Sequence, residues 1–325
     1  MRPIDIHIVF GAPFAKWRRT AGSLTTREIL AKIWHRVTAR IFLCYRAGLG
    51  VAFRLRNLLT GDAPIHAQTR GVLFEMVPEG AIAFHVWSGL RFESSELDLI
   101  LRVLKPGMTF FDVGANAGIF SLAAGAKLRG QAAALFAFEP CADTFGTLQK
   151  NLRLNRLPET RAVRTAISDT TGEAQLFLNA AFKDGLNSLR EPSHSDAEVV
   201  GREPVSTITL DDFVARENIS RVDVMKVDVE GAELQVFLGG SRLLKRPDAP
   251  LILYEGYSWC TAAFHYHPVE LIWLLESFGY ELFVLDSCSG SVRRRSPREG
   301  YDAMVVAVKP SHPAFPDIAN DEAAA

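Results

Sequence analysis

Apolar residues gather in seven short runs along the last two thirds of the chain, at 108–113, 134–138, 161–167, 222–227, 250–254, 280–285 and 303–308. Most are separated by segments with apolar positions at helical spacing: AGIFSLAAGAKL, TFGTLQKNLRLN, AELQVFLGGSRLLK and PVELIWLLESFG. Runs without polar alternation are apolar on both faces, which suits parallel strands covered by helices on each side. The pattern predicts an α/β, doubly wound domain with seven strands. Ahead of it, GVLFEMV and AIAFHVW read as short strands, and SSELDLILRVLKPG as a helix capped by Ser94 or Ser95 that stops before Pro106. Residues 25–59 carry apolar positions at helical spacing with Arg and Lys between them, which predicts two basic amphipathic helices broken near Gly48 and Gly50. GDAP at 61–64 reads as a linker. Residues 179–205 form one long polar stretch, a loop of a length that is usually functional.

Composition changes this picture in one respect. The 325 residues are 48% hydrophobic and 22% charged, which excludes disorder as the overall description. The net charge of −1 conceals a split: residues 1–60 hold 11 Lys and Arg against two Asp and Glu, and residues 61–325 hold 25 against 35. The basic part and the acidic body therefore face different partners. The basic helices are expected either to cap the main domain or to touch a membrane surface or an acidic partner; no nucleic-acid partner is expected. Cys44, Cys141, Cys260 and Cys288 are scattered, without CxxC or a Cys/His cluster, so neither a zinc site nor a disulfide framework is indicated, no metal is expected, and a reducing cytoplasm fits. The first residues do not read as a secretory leader. The apolar stretch 41–59 is interrupted by Arg46, Arg54 and Arg56 and falls short of the roughly 18 residues that a membrane span needs.

The candidate chemistry begins at FFDVGANAG, residues 110–118. A doubly wound sheet binds ligands beyond the carboxyl ends of its strands, and this is the first strand-to-helix turn. The dinucleotide fingerprint GxGxxG is absent. A pyrophosphate beside Asp112 would be disfavoured by roughly 1 kcal/mol or more at close range. S-adenosyl-L-methionine has no phosphate and carries an ammonium and a sulfonium, which match an acidic turn. Glu139, ending ALFAFEP, is placed to accept hydrogen bonds from ribose hydroxyls. Ser168 and Asp169, in AISDTTG, either face an adenine edge or make an ordinary turn. Asp228 and Glu230, in VDVMKVDVEGAEL, end the fourth strand and either project toward the reacting methyl group or favour the N-terminus of the helix that follows.

Together KPGMTFFDVGANAGIFSL, FAFEP, AISDTTGEAQL, NSL, VSTITLDDF and VDVMKVDVEGAEL resemble the FkbM family of S-adenosylmethionine-dependent methyltransferases, over roughly residues 90–256. The resemblance implies a class I methyltransferase fold, Rossmann-like, with a seven-stranded sheet whose last strand, YDAMVVAVK, is antiparallel. It implies cofactor roles for Asp112, Gly114, Asn116, Gly118, Glu139 and Asp169, and methylation of a hydroxyl oxygen on a sugar or another metabolite. The expected organisation is a basic helical extension over 1–68, the methyltransferase domain over 69–310 and a disordered tail over 311–325.

An alcohol needs a base. Asp228 ranks first by position, with Glu230, Glu255 and one of His265 and His267 as alternatives. In FHYHP the two imidazoles would point to opposite sides of an extended segment, so at most one could serve. Asn187 and Ser188, in GLNSL, are candidates for closing over cofactor and acceptor. Two competing readings are a membrane-attached scaffold whose fold no longer catalyses and an NAD-dependent sugar oxidoreductase. The latter lacks a visible pyrophosphate cradle and Tyr/Lys pair.

Overall fold

A computed structural model describes residues 48–53, 55–61, 63–76, 81–88, 93–179, 186–191, 198–296 and 302–321. The chain divides into two compact units between Ala63 and Pro64. In the first unit, residues 48–53 and 55–60 are helical, and Gly48 and Gly50, expected to interrupt, lie in helical backbone. The helix predicted over the residues before 48 lies outside the described residues. Among the described residues no helix is long and apolar enough to cross a membrane.

The second unit begins with a hairpin, β1 (Ile65–Thr69) and β2 (Val72–Met76), joined by Arg70 and Gly71, both at positive φ. Two residues of that kind form the mirror-image turn whose twist matches paired strands. AIAFHVW, expected as a strand, lies instead in helix α1 (Ala81–Ser88); a short apolar run does not distinguish the two by periodicity. Helix α2 (Ser94–Val103) ends before Pro106 as expected, but its N-cap is Glu93, at φ 45° and without a side-chain cap hydrogen bond, and the expected caps Ser94 and Ser95 lie inside the helix.

The main sheet is built from β3 (Thr109–Val113), β4 (Ala134–Phe138), β5 (Thr160–Val163), β9 (Val224–Val227), β10 (Leu251–Gly256), β11 (Glu281–Leu285), β12 (Val292–Arg294) and β13 (Ala303–Val308). Their order is β12-β11-β13-β10-β9-β3-β4-β5, with β13 antiparallel to both neighbours. All seven apolar runs contribute a strand to this sheet, although the run 161–167 ends in Ala166–Ile167, which belong to a second sheet. The eighth, β12, is a three-residue edge strand with too few apolar positions to be read from sequence. Order reverses between β3 and β9, and this switch point is where the strand ends diverge and leave a crevice.

Helices α3 (Ile119–Lys127) and α4 (Ala142–Leu154) cover the β3–β5 side. Asn151 and Asn155 of α4 accept the edge amides of the hairpin, Glu75 N and Leu73 N, each at 2.7 Å. Asn151 Nδ2 also donates to Ala117 O at 2.9 Å, so the same side chain anchors the glycine turn. On the sheet, Phe111, Phe136 and Phe138 pack edge-on against Phe213 of α5 (Leu210–Arg216), with ring centroids 4.7 to 5.7 Å apart. Helices α6 (Glu233–Gly239) and α7 (Ser241–Lys245) divide the predicted segment 232–245 at Gly240.

A second, three-stranded sheet has the order β6-β8-β7, from β6 (Ala166–Ile167), β7 (Gly172–Asn179) and β8 (Val199–Ile208). Residues 199–205, expected to belong to a loop, are therefore strand. Alternate residues there face solvent, and the polar outer face hid the strand. Residues 311–321, expected to be a disordered tail, instead carry helix α10, which follows α8 (Ser258–Thr261) and α9 (Val269–Ser277). Helix α10 spans Phe315–Ala319, buries Ile318 completely, and is followed by Asp321, which accepts two hydrogen bonds from Arg102.

Phe213→Ala removes the ring that three other phenylalanines surround. It is expected to cost about 3–5 kcal/mol in a urea unfolding series.

Candidate active site

The carboxyl ends of β3, β4, β9 and β10, with the start of β6, enclose a cavity of about 350 Å³. Small-molecule sites fall in the roughly 300–1,000 Å³ range. At its centre Gly114 has φ +80°, and a Cβ there would lie 1.7 Å from Asp228 O. No side chain fits, so the glycine turn and the turn after β9 can press together. Gly114 N and Ala115 N both donate to Phe138 O, at 3.0 and 2.9 Å.

Glu139 fastens this turn to the next. Its Oε2 accepts Asn116 N at 3.0 Å and its Oε1 accepts Cys141 N at 2.9 Å. Burial pushes its pKa up to about 7, against the pull of these two N–H groups. Asn116 sits at φ +50°, and its own Oδ1 accepts Ala117 N. Both Glu139 and Asn116 line the cavity, with Thr165, Ala166 and Ile167 beside them.

The opposite end is acidic. Lys226, Asp228, Glu230, Glu255 and Glu93 line it, and Lys226 Nζ is 2.9 Å from Asp228 Oδ2 and 4.5 Å from the centre of the Phe120 ring. Burial pulls the Lys226 ammonium down, but Asp228, Glu93 and Asp112 override it and hold its pKa above the ordinary range. Burial, opposed by Lys226, raises Glu93 to about 7. Burial and then Asp228 and Glu230 push Glu255 up to about 10. Glu230 is raised well above its usual range by burial, Asp228 and Glu233, eased by the Cys260 thiol, whose Sγ donates to Oε2 at 3.6 Å. Four carboxyl groups thus share one ammonium, and Glu255, pushed up to about 10, holds its proton at neutral pH. Glu230 itself is at φ +52°, and its carbonyl accepts Ser188 Oγ at 2.9 Å. Among the described residues no group of three or more His, Cys, Asp or Glu side chains is arranged to hold a metal ion.

Several predicted residues lie elsewhere. Asp112 is completely buried behind the turn and off the cavity wall. Its Oδ2 accepts Ser121 N and Oγ, while Oδ1 has no hydrogen-bond partner among the described residues. It acts on the site through its field on Lys226, not by contact. Gly118 caps α3, and a Cβ there would strike Leu148 Cδ1 at 2.6 Å. Ser168 and Asp169 form a turn that abuts Gly239, outside the cavity wall. Asn187 lines the cavity, but Ser188 is buried beneath it. His265 and His267 are also off the wall: His265 ends a short 3-10 turn, and His267 Nδ1 accepts Val269 N at the start of α9. The residue between them, Tyr266, is buried and donates to Gly231 O at 2.9 Å.

Sequence reasoning missed Glu93 and Lys226. The signal for Lys226 was present, since a lysine within VMKV in a strand buried on both faces requires a counter-ion.

A methyltransferase FkbM domain matches residues 112–282. The chain is similar to the hexuronic acid methyltransferase AglP of Haloferax volcanii, at 29% identity over 48% of this chain and 59% of that protein. It is similar to the 31-O-demethyl-FK506 methyltransferase FkbM of Streptomyces tacrolimicus, at 32% over 50% of this chain and 74% of that one. The 2-O-methyltransferase NoeI of Sinorhizobium fredii matches at 27%, over 52% of this chain and 73% of its own length. The chain thus spans somewhat over half of the first relative and about three quarters of the other two. Its sheet has the class I methyltransferase arrangement with one edge strand, β12, added. Because the domain match takes in the glycine turn, Glu139, the Lys226–Asp228 pair and Glu255 together, and more than half of the chain, the chain belongs to the FkbM methyltransferase family.

Proposed function

We propose that the protein is an S-adenosyl-L-methionine-dependent O-methyltransferase acting on a hydroxyl of a sugar or related metabolite, with its methyltransferase unit running from Pro64 to Asp321. The observation that carries this reading is the polarised cavity. Glu139 stands at its β4 end, and carboxyl groups gather around one ammonium at its β9–β10 end, two to three strand spacings away, or roughly 10–14 Å. A nucleoside with cationic groups at its far end fits that distribution, and a diphosphate does not. Glu139 would receive the ribose hydroxyls, and the acidic end the ammonium and sulfonium. When bound, the cofactor supplies an electrophilic methyl group. The names of the relatives, two of which specify an oxygen position, support transfer to oxygen.

Asp228 is the base in this reading. Lys226 engages only Oδ2, which leaves Oδ1 to take the proton of the acceptor hydroxyl. Glu255 already holds its proton at neutral pH and serves instead as a hydrogen-bond donor, and burial pushes Glu230 in the same direction.

The first unit supports a second, separate role. Val51, Leu55, Leu58 and Leu59 are all exposed, at positions i, i+4, i+7 and i+8 of one helical stripe. Residues 1–60 carry 11 basic and two acidic residues. An apolar stripe with basic flanks suits the surface of an anionic bilayer.

Three outcomes test these readings. Calorimetry is expected to show binding of S-adenosylmethionine and not of NAD, with Glu139→Gln weakening it about tenfold. A cation binds the ionised carboxylates, so affinity should rise as pH rises through about 7, where Glu93 and Glu139 lose their protons; affinity independent of pH, or binding of NAD alone, rejects the site assignment. Asp228→Asn is expected to lower tritiated-methyl incorporation into a cell extract by about 10²- to 10⁴-fold while cofactor binding persists; undiminished turnover removes Asp228 from this role. Full-length protein should co-sediment with phosphatidylserine vesicles and be released as salt rises toward about 1 M. Leu58→Asp combined with Leu59→Asp should abolish that co-sedimentation, and binding indifferent to both salt and substitution excludes this attachment.

A further inference from the structure

Asp228 and Glu255 stand at the ends of the neighbouring strands β9 and β10, and both line the cavity. In this parallel pair Lys226 lies opposite Leu253 and Val227 opposite Tyr254, so one further step along both strands sets Asp228 beside Glu255. Neighbouring strands run about 4.8 Å apart, and the two carboxyl groups therefore leave the sheet side by side. The sheet fixes both positions. Strand β10 is hydrogen-bonded on its other flank as well, with Glu255 opposite Met304 of β13, and Asp228 N donates to Val113 O at 3.0 Å. Groups carried by central strands hold a geometry that a loop would not.

The two groups are chemically unlike. Lys226 Nζ donates to Asp228 Oδ2 at 2.9 Å, so this carboxyl is paired with an ammonium and acts as an acceptor. Glu255 has no such pairing: its carboxyl makes no hydrogen bond among the described residues, and burial, followed by Asp228 and Glu230, keeps its proton in place up to about 10. Lys226 and Glu93 also face it, the first opposing this shift and the second adding to it. One wall thus offers an acceptor and, one strand away, a donor that a ligand must satisfy. A ligand that engages both carries two polar atoms within about one strand spacing, roughly 4.8 Å, of each other. Hydroxyls on adjacent carbons meet that condition. One gives its proton to Asp228, and the other accepts a hydrogen bond from Glu255, whose proton stays where it is. Hydroxyls on opposite sides of a six-membered ring stand farther apart, and a lone alcohol leaves the Glu255 donor unused.

Resting on the methyltransferase reading, with Asp228 as its base, we propose that Glu255 is a specificity-determining residue and that the acceptor is a vicinal diol whose second oxygen accepts a hydrogen bond from the Glu255 carboxyl. Glu255 then selects the hydroxyl to be methylated as one flanked by another oxygen.

Saturation-transfer NMR titrations on the full chain test this, with trans-cyclohexane-1,2-diol and trans-cyclohexane-1,4-diol as probes. Each chain is saturated with S-adenosylhomocysteine at a concentration set by its own affinity in calorimetry, and calorimetry with S-adenosylmethionine runs in parallel. The probes contain the same atoms and differ only in where the second hydroxyl sits. The 1,2-diol is expected to bind about tenfold more tightly than the 1,4-diol. Glu255→Leu should erase that preference, and Glu255→Gln, whose amide still donates, should retain most of it. Equal binding of the two diols by the unaltered chain, a preference that survives Glu255→Leu, a preference lost in a Glu255→Gln chain that still binds S-adenosylhomocysteine, or no diol binding in a chain that binds S-adenosylmethionine overturns the proposal and leaves the cofactor reading intact. Failure of the unaltered chain to bind S-adenosylmethionine overturns both.

Discussion

Lys226 is an ammonium buried in the middle of a parallel sheet, and the far end of the cavity is organised around its charge. A lone buried ammonium would lose its proton or unfold the strand. Here Asp228, two residues on along the same strand direction, pairs with it, and Glu93 and Asp112 add to the field from α2 and β3. The same ammonium is what lets so many carboxyl groups converge. Without it, Asp112, Glu93, Glu230 and Glu255 would lose the opposite charge that counters their burial. Removing one partner of such a pair typically costs about 3–5 kcal/mol, because the other charge is stranded.

The excess of acid over base has a functional meaning. Raised carboxyl pKa values record an environment that disfavours more negative charge, and a cationic ligand relieves that condition. The free protein therefore carries an unfavourable arrangement that binding improves, as expected where a site and not a core is being built. Backbone strain gathers in the same place. Asn116, Glu230 and Glu93, none of them glycine, all sit in the left-handed region, and each lines the cavity. Hydrogen bonds from neighbouring elements hold two of them: Glu139 holds Asn116, and Ser188 and Cys260 hold Glu230.

Glu139 shows how one side chain can serve fold and site at once. It joins the turns after β3 and β4 by accepting an amide from each, and it remains on the cavity wall. Asn151 does comparable work behind the turn, tying the outer hairpin to Ala117. The wall is thus fixed by groups that are not in the hydrophobic core, which suits a site that must keep its shape for a polar ligand.

The order of apolar runs alone determined the seven sheet strands, because residues buried on both faces must be apolar and each run is short enough to admit only a strand. It also determined the glycine turn, since Gly114 is the only residue type that fits against Asp228 O. The hairpin of β7 and β8, the helix α1 and the packed segment through α10 were decided by tertiary contact. Their polar or short sequences carry no periodicity strong enough to outweigh the alternatives. The side chains that reach the cavity were also settled only in three dimensions. Asp112 and Glu139 both end sheet strands as acids, yet Asp112 turns inward to Ser121 while Glu139 stays on the wall. Adjacency in sequence fixes which turn a residue joins, but the direction of its side chain depends on neighbours such as Ser121, Asn116 and Lys226, which only folding brings beside it.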